Sequence, residues 1–335
     1  MTQAHGAFMR NVTFDRFGDP SEVLQISEVP IPNPEQGQIR IKLVKRPIHP
    51  ADLMMVRGLY GVKPPLPSIP GAEALAIIDA LGAGVTGFEP GQRVVSLGAQ
   101  GTWSDYLIVQ PTSLIPIPDS IPDGVACQMF LNPLTANLLL DSVVAKKGDW
   151  LIQTAANSTV GRIVVQLAKR RGINLINLVR RSDAIDELKR FGAEHILSTE
   201  DEAWPKRVLE FTDGVAVTKA IDAVGGPLSL AIMSVLAQDS IFIVYGALAG
   251  QPLLIDPSQL VFGNVMVRGF WLASWFQTAD SAQLQKVLSE LMQLVASREL
   301  ILSVEAEYDI ADFTQALEHA EHPGRLGKIL LSSQV

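Results

Sequence analysis

Cysteine is nearly absent from this chain of 335 residues: Cys127 stands alone, which excludes an internal disulfide and any zinc cage built from several thiolates. Beside Ala126 and Met129 it reads as a core residue. Long apolar runs are missing as well. No stretch of about 18 apolar residues occurs, so no membrane-spanning helix is expected, and the opening MTQAHGAFMR lacks the apolar segment of a secretory signal. The expected compartment is the cytoplasm. Positive charge is in deficit: 27 Lys and Arg face 35 Asp and Glu for a net charge of −8, so no overall field draws the chain onto nucleic acid or an anionic membrane. What is present, 47% apolar and 19% charged residues with 6% aromatics, excludes disordered, collagen-like and coiled-coil classes. The length suggests two domains.

Proline divides the chain, since 15 of the 21 prolines fall before residue 125 and a domain boundary follows near 120–130. The first part carries period-two strand signals, as in Ile39, Ile41, Leu43 and then Val94, Val95, with Pro and Gly turns between them. From Trp150 the pattern changes. Trp150 to Thr154 is a short apolar strand, AANSTVG a turn, and Val160, Ile163, Val164, Leu167 and Ala168 mark one helix face that Gly172 ends. Leu175 to Val179, Glu194 to Leu197, Lys219 to Ala223 and Ile241 to Tyr245 are further strands, and Ala184 to Phe191 is a helix. Strands alternating with helices imply an α/β fold with a doubly wound parallel sheet. The alternation stops near residue 270, after which a helix over Ala282 to Ser297 precedes a strand-like Lys328 to Leu331.

A strand, a tight turn and a helix opening at residues 157–160 aim backbone N–H groups and a helix dipole at one point, an arrangement suited to a pyrophosphate. The turn has one glycine, Gly161, and so departs from G-x-G-x-x-G; Asn157 and Ser158 can cap the helix or bond a phosphate. Dinucleotide folds usually carry an acid about 20 residues on, where it holds the ribose hydroxyls. Here that place is Arg180-Arg181. Guanidiniums pair with a 2′-phosphate, so NADPH is favoured over NADH.

Pro70-Gly71-Ala72-Glu73-Ala74, together with Gly82, Gly84, Val85, Phe88, Gly91 and Arg93, resembles the medium-chain dehydrogenase/reductase superfamily. The resemblance runs over nearly the whole length and implies a GroES-like β-barrel catalytic domain plus a Rossmann domain, with the cofactor in the cleft between them. The boundaries are expected at 1–127, 128–270 and a return to the first domain over 271–335. The superfamily's zinc alcohol dehydrogenases have a His after the Pro-Gly and a Cys near residue 52; here Ala72 and Asp52 stand there, so metal-free chemistry is expected. Of the five histidines, His5, His49, His319 and His322 do not read as a ligand cluster.

Asn132-Pro133-Leu134-Thr135-Ala136, Gly101-Thr102-Trp103, Asn157 to Gly161, Val179-Arg180-Arg181, Tyr245-Gly246-Ala247 and Arg268 to Leu272 together resemble the mitochondrial-type trans-2-enoyl thioester reductases. That resemblance implies cofactor contacts at Asn132, Asn157, Ser158, Thr159, Val160, Arg180, Arg181, Tyr245, Gly246, Ala247, Leu248, Phe270, Trp271, Leu272 and Lys328, with Ser182 where the basic turn commonly has a third Arg. Tyr60, in Gly58-Leu59-Tyr60-Gly61, matches the family's catalytic tyrosine, and Trp103 and Trp271 are candidates for the pocket wall. The implied reaction is NADPH-dependent reduction of an enoyl thioester, carried on coenzyme A or an acyl carrier protein, by a homodimer joined near residues 261–271. A quinone or small enone reductase of the same superfamily is the alternative, and a non-catalytic NADPH-binding regulator a third. Lys42, Lys45, Arg46, Arg57 and Lys63 are read either as a docking set for phosphates or an acidic carrier, or as solvated charges on a strand.

Overall fold

The computed structural model describes residues 8–333, which leaves His5 outside the described part. Two compact units emerge: residues up to Leu131 with those from Leu302 onward, and Asn132–Ile301. The first begins with an antiparallel pair, β1 (Phe8–Thr13) and β2 (Gln25–Pro30). Five strands follow: β3 (Ile39–Pro47), β4 (Glu73–Leu81), β5 (Arg93–Leu97), β6 (Tyr106–Val109) and β7 (Leu114–Pro116). Alternation along β3 buries Ile39, Ile41 and Leu43 against Ala74, Ala76 and Ile78 of β4, as a period of two requires. Cys127 is buried, its Sγ donating to the Gly124 carbonyl, and burial pushes the thiol well above its ordinary pKa.

The second unit holds six parallel strands, β8 (Trp150–Gln153), β9 (Asn174–Val179), β10 (His195–Ser198), β11 (Val217–Asp222), β12 (Leu236–Val244) and β13 (Met266–Gly269). Their order in the sheet is β10-β9-β8-β11-β12-β13. In order along the chain this is 3-2-1-4-5-6, the doubly wound arrangement whose direction reverses between β8 and β11. The Thr159–Arg171 helix starts on Ser158, whose Oγ accepts from Gly161 N at 3.1 Å, and ends at Gly172 with φ +67°.

The chain stays in this unit longer than its strand–helix alternation suggests. The Ser281–Ala296 helix turns Leu288, Leu291 and Val295 inward, and the Gln166 amide pins Ile301 from both sides, accepting from its N–H at 2.7 Å and donating to its carbonyl at 3.2 Å. The crossing therefore falls at 302 rather than 271. β14 (Val304–Asp309) and β15 (Lys328–Ser332) complete the large sheet of the first unit, in the order β14-β15-β3-β4-β5-β7, with β6 also paired to β3.

Candidate active site

The C-terminal edge of the parallel sheet gathers most of the residues singled out from the sequence. Asn157 to Val160 follow β8, Arg180 to Ser182 follow β9, Tyr245 to Leu248 follow β12, and Phe270 to Leu272 follow β13. Ligands of open parallel sheets bind at this edge, outside the point where strand order reverses. The turn after β8 is tight because Ala155 takes a φ of +46°, a left-handed conformation that other dinucleotide folds assign to glycine. Gly161 has no room for a side chain: a Cβ there would stand 2.5 Å from Ala156 O and 2.6 Å from Ala155 O. The helix consequently sits close on the turn, with its N-terminal N–H groups and dipole aimed outward.

Two residues at the reversal point were not foreseen. Thr154 Oγ donates to Asp222 Oδ1 at 2.5 Å and accepts from Ala223 N at 2.9 Å, tying the end of β8 to the end of β11. The same carboxylate takes the N–H groups of Val224 and Gly225, each at 2.9 Å. A signal existed in the sequence, since Asp222 closes a strand three residues before Gly225-Gly226. Tyr245 N donates to Asp222 O, and Gly246 lies so close to Ala223 that a Cβ would meet its carbonyl at 2.8 Å. Burial, with the Asp222 carboxylate adding to it, holds the Tyr245 phenol above its ordinary pKa, against the pull of the neighbouring Ser158 side chain.

Several features fit a dinucleotide. Asn132 Nδ2 is a buried polar atom without a hydrogen-bond partner among the described residues, and the Tyr245 hydroxyl is buried by the Ser158 side chain. No acid terminates β9; Arg180 is exposed there, and Arg181 Nε bonds Asp183 at 3.0 Å. Trp271, half-buried, caps the Leu272–Thr278 helix.

The remaining candidates lie in the first unit. Tyr60 is half-buried in the segment between the Pro50–Val56 helix and β4, just after Gly58 with its φ of +70°. Trp103 is fully enclosed in the core with Val12, Phe14, Leu53 and Ile329, so it is a packing residue and not a pocket wall; Gly71 makes room for its indole. Lys328 is buried rather than free for a ligand, its Nζ donating to Ile48 O at 2.9 Å and lying 3.2 Å from His49 Nδ1. The proposed basic set is dispersed: Lys45 pairs with Glu307, Arg57 with Glu321, Arg46 is buried on Ser333, and Lys63 lies over the Phe17 ring.

A second buried polar group surrounds Lys328. His49 Nε2 lies 3.2 Å from Glu73 Oε2, and Glu73 Oε1 accepts from Phe130 N at 2.8 Å and Leu131 N at 3.1 Å. Asp52 accepts from His49 N at 2.8 Å. Burial pushes Asp52 and Glu73 up to about 7, and burial with the nearby Lys328 charge pushes His49 well below its ordinary value. Among the described residues no group of three or more His, Cys, Asp and Glu is arranged to hold a metal ion.

Comparison with known proteins agrees with this architecture. The family described as alcohol dehydrogenase GroES-like domain matches residues 35–119, and that described as zinc-binding dehydrogenase matches residues 159–297. The human mitochondrial enoyl-[acyl-carrier-protein] reductase is 32% identical, covering 98% of this chain and 90% of its own. A structure described as a putative NADPH:quinone reductase from Bacillus thuringiensis superposes with a TM-score of 0.92 at 29% identity, over 98% of this chain and all of that one. A mycobacterial protein in complex with NADPH gives 0.86 at 27%, over 97% of this chain and all of its own. Fold and family matches together define a dehydrogenase of two units, one GroES-like and one of the dinucleotide-binding kind. The chain belongs to the medium-chain dehydrogenase/reductase superfamily, and within it resembles the enoyl thioester reductases.

Proposed function

We propose that this NADPH-dependent oxidoreductase reduces the activated carbon–carbon double bond of a trans-2-enoyl thioester, with Tyr60 as proton donor. The observation that carries the reading is the similarity to an enoyl-[acyl-carrier-protein] reductase along 98% of the chain. NADPH, when bound, supplies a hydride, which the proposal directs to the β-carbon. Thr159 and Val160 offer main-chain N–H groups to the pyrophosphate, and Arg180, with Arg181 and Ser182, meets the 2′-phosphate. Asn132 Nδ2 supplies a buried donor with no other partner among the described residues, the buried Tyr245 hydroxyl lies by the Ser158 side chain, and Gly246 to Leu248 with Phe270 to Leu272, following β12 and β13, complete the set. Lys328 is omitted from this set because its ammonium is committed within the first unit. Tyr60 carries a phenolic O–H, a hydrogen-bond donor that can give its proton to the α-carbon as enolate charge develops.

Metal-free chemistry is part of the proposal: Ala72 has no ligating atom, and the Asp52 carboxylate is engaged by the main chain of His49 and Gly71. Coenzyme A or an acyl carrier protein carries the acyl group, the latter on the strength of the human relative's description. A homodimer is supported by the edge strand β13, beside which Val261, Phe262 and Met266 are 71%, 79% and 56% exposed. No helix among the described residues is long and apolar enough to cross a membrane. A cytoplasmic location is proposed from a composition suited to a reducing compartment.

The second reading, a quinone or small enone reductase, is favoured by the close superposition on the Bacillus protein. Initial rates of NADPH oxidation separate the two. With a medium-chain trans-2-enoyl-CoA and a small quinone offered side by side, the proposal expects the thioester to be preferred and NADH to serve poorly. Quinone turnover alone selects the second reading, and NADPH binding without turnover of any acceptor rejects both.

A further inference from the structure

The segment from His49 to Glu73 leaves the large sheet after β3 and rejoins it at the start of β4, carrying first the Pro50–Val56 helix and then Tyr60. Its two ends meet through buried polar contacts. The His49 imidazole bridges to the Glu73 carboxyl at 3.2 Å, with both side chains shut off from solvent. Asp52 closes the same base a second time by accepting from the N–H of His49 and from the backbone of Gly71.

Lys328 on β15 settles the orientation of the imidazole. An ammonium can only donate, so His49 Nδ1, 3.2 Å from Nζ, accepts; Nε2 then carries the proton and donates to Glu73. Glu73 in turn holds the N–H groups of Phe130 and Leu131 at the start of the Leu131–Ser142 helix. Apolar side chains of similar volume close a loop at lower desolvation cost. What this polar clasp adds is direction: hydrogen bonds fix the two ends of the segment in one register, whereas apolar packing tolerates slippage.

We infer that the His49–Glu73 clasp, supported by Asp52 and Lys328, positions Tyr60, making His49 and Glu73 positioning residues for the proton transfer. The inference rests on the reading of Tyr60 as proton donor.

A double-mutant cycle on the full chain, with NADPH and a medium-chain trans-2-enoyl-CoA, tests it. Tyr60→Phe is expected to lower kcat ~100-fold and His49→Ala ~10-fold, with the thioester KM of the latter within about twofold of wild type. Added to Tyr60→Phe, His49→Ala should cost less than about twofold more, because the two act as one unit. Multiplying effects, or a His49→Ala loss confined to KM, overturn the positioning role and leave Tyr60 in place. Undiminished kcat in Tyr60→Phe removes both the Tyr60 reading and this inference. Glu73→Gln gives a second arm that does not depend on His49→Ala folding. Amide exchange over residues 57–72 should rise while β8–β12 stay protected, and unchanged exchange in that segment contradicts the clasp.

Discussion

Glu73 is a carboxyl group that the fold needs and yet desolvates, and its consequences belong to the residue scale. Burial raises its pKa from the ordinary 4.5 to about 7, so the folded state binds its proton more tightly than the unfolded chain does. The stabilising contribution is fully present below pH 4.5 and is lost as pH rises through about 7. Asp52 behaves alike, while His49, with its lowered pKa, acts in the opposite sense below pH 6.5. Glu73→Gln removes one carboxyl from this balance. Its melting temperature relative to wild type should therefore climb between about pH 5 and pH 8, measured by thermal denaturation across that range; a constant difference contradicts the assignment. Arg180→Ala should raise the KM for NADPH ~10-fold and leave that for NADH within about twofold, as steady-state kinetics with each nucleotide will read. At this scale the sequence was uneven. The Ser158 cap and the place of Arg180 at the end of β9 were legible because residue type and offset from an apolar strand define them. Trp103 was misread because its neighbours Gly101 and Thr102 match a motif, whereas its burial depends on Val12, Phe14 and Ile329, far away in the chain.

Among the elements, the junction of β8 with the Thr159–Arg171 helix carries the most constraint. Gly161→Ala pushes a methyl group against two carbonyls at about 2.5 Å, and the helix must lift from the turn. The expected loss is about 1–3 kcal/mol in urea denaturation, together with weaker NADPH binding by fluorescence titration. Wild-type values for both contradict the account of the turn. Apolar period and turn residues made β8, β9 and the helix between them readable within a residue or so of their observed ends. β14 escaped notice for a physical reason: Val304–Asp309 alternates with glutamates on a sheet edge, where burial leaves little apolar pattern. The Thr154–Asp222 clamp escaped because it joins strands 68 residues apart in the chain.

For the whole molecule, two units could be read from the shift in proline density and strand period, but the point of return could not. Residues 271–301 read from the sequence as part of the return to the first unit, whereas the Gln166–Ile301 contacts keep them in the second. The proposed dimer rests on an edge of the sheet: β13 ends the parallel sheet next to exposed Val261 and Phe262. Phe262→Asp should convert a dimer to a species near the 36.3 kDa chain mass by light scattering, with the fold retained by circular dichroism. A wild-type protein already at that mass contradicts the proposed dimer. The central claim concerns chemistry, and isotope placement tests it most directly. After turnover of a medium-chain trans-2-enoyl-CoA with NADPH deuterated at the transferred position, mass and NMR spectra of the product should show a saturated thioester with one deuterium at the β-carbon. A product with deuterium elsewhere, or an unreduced thioester beside a quinone that the same preparation reduces readily, contradicts it.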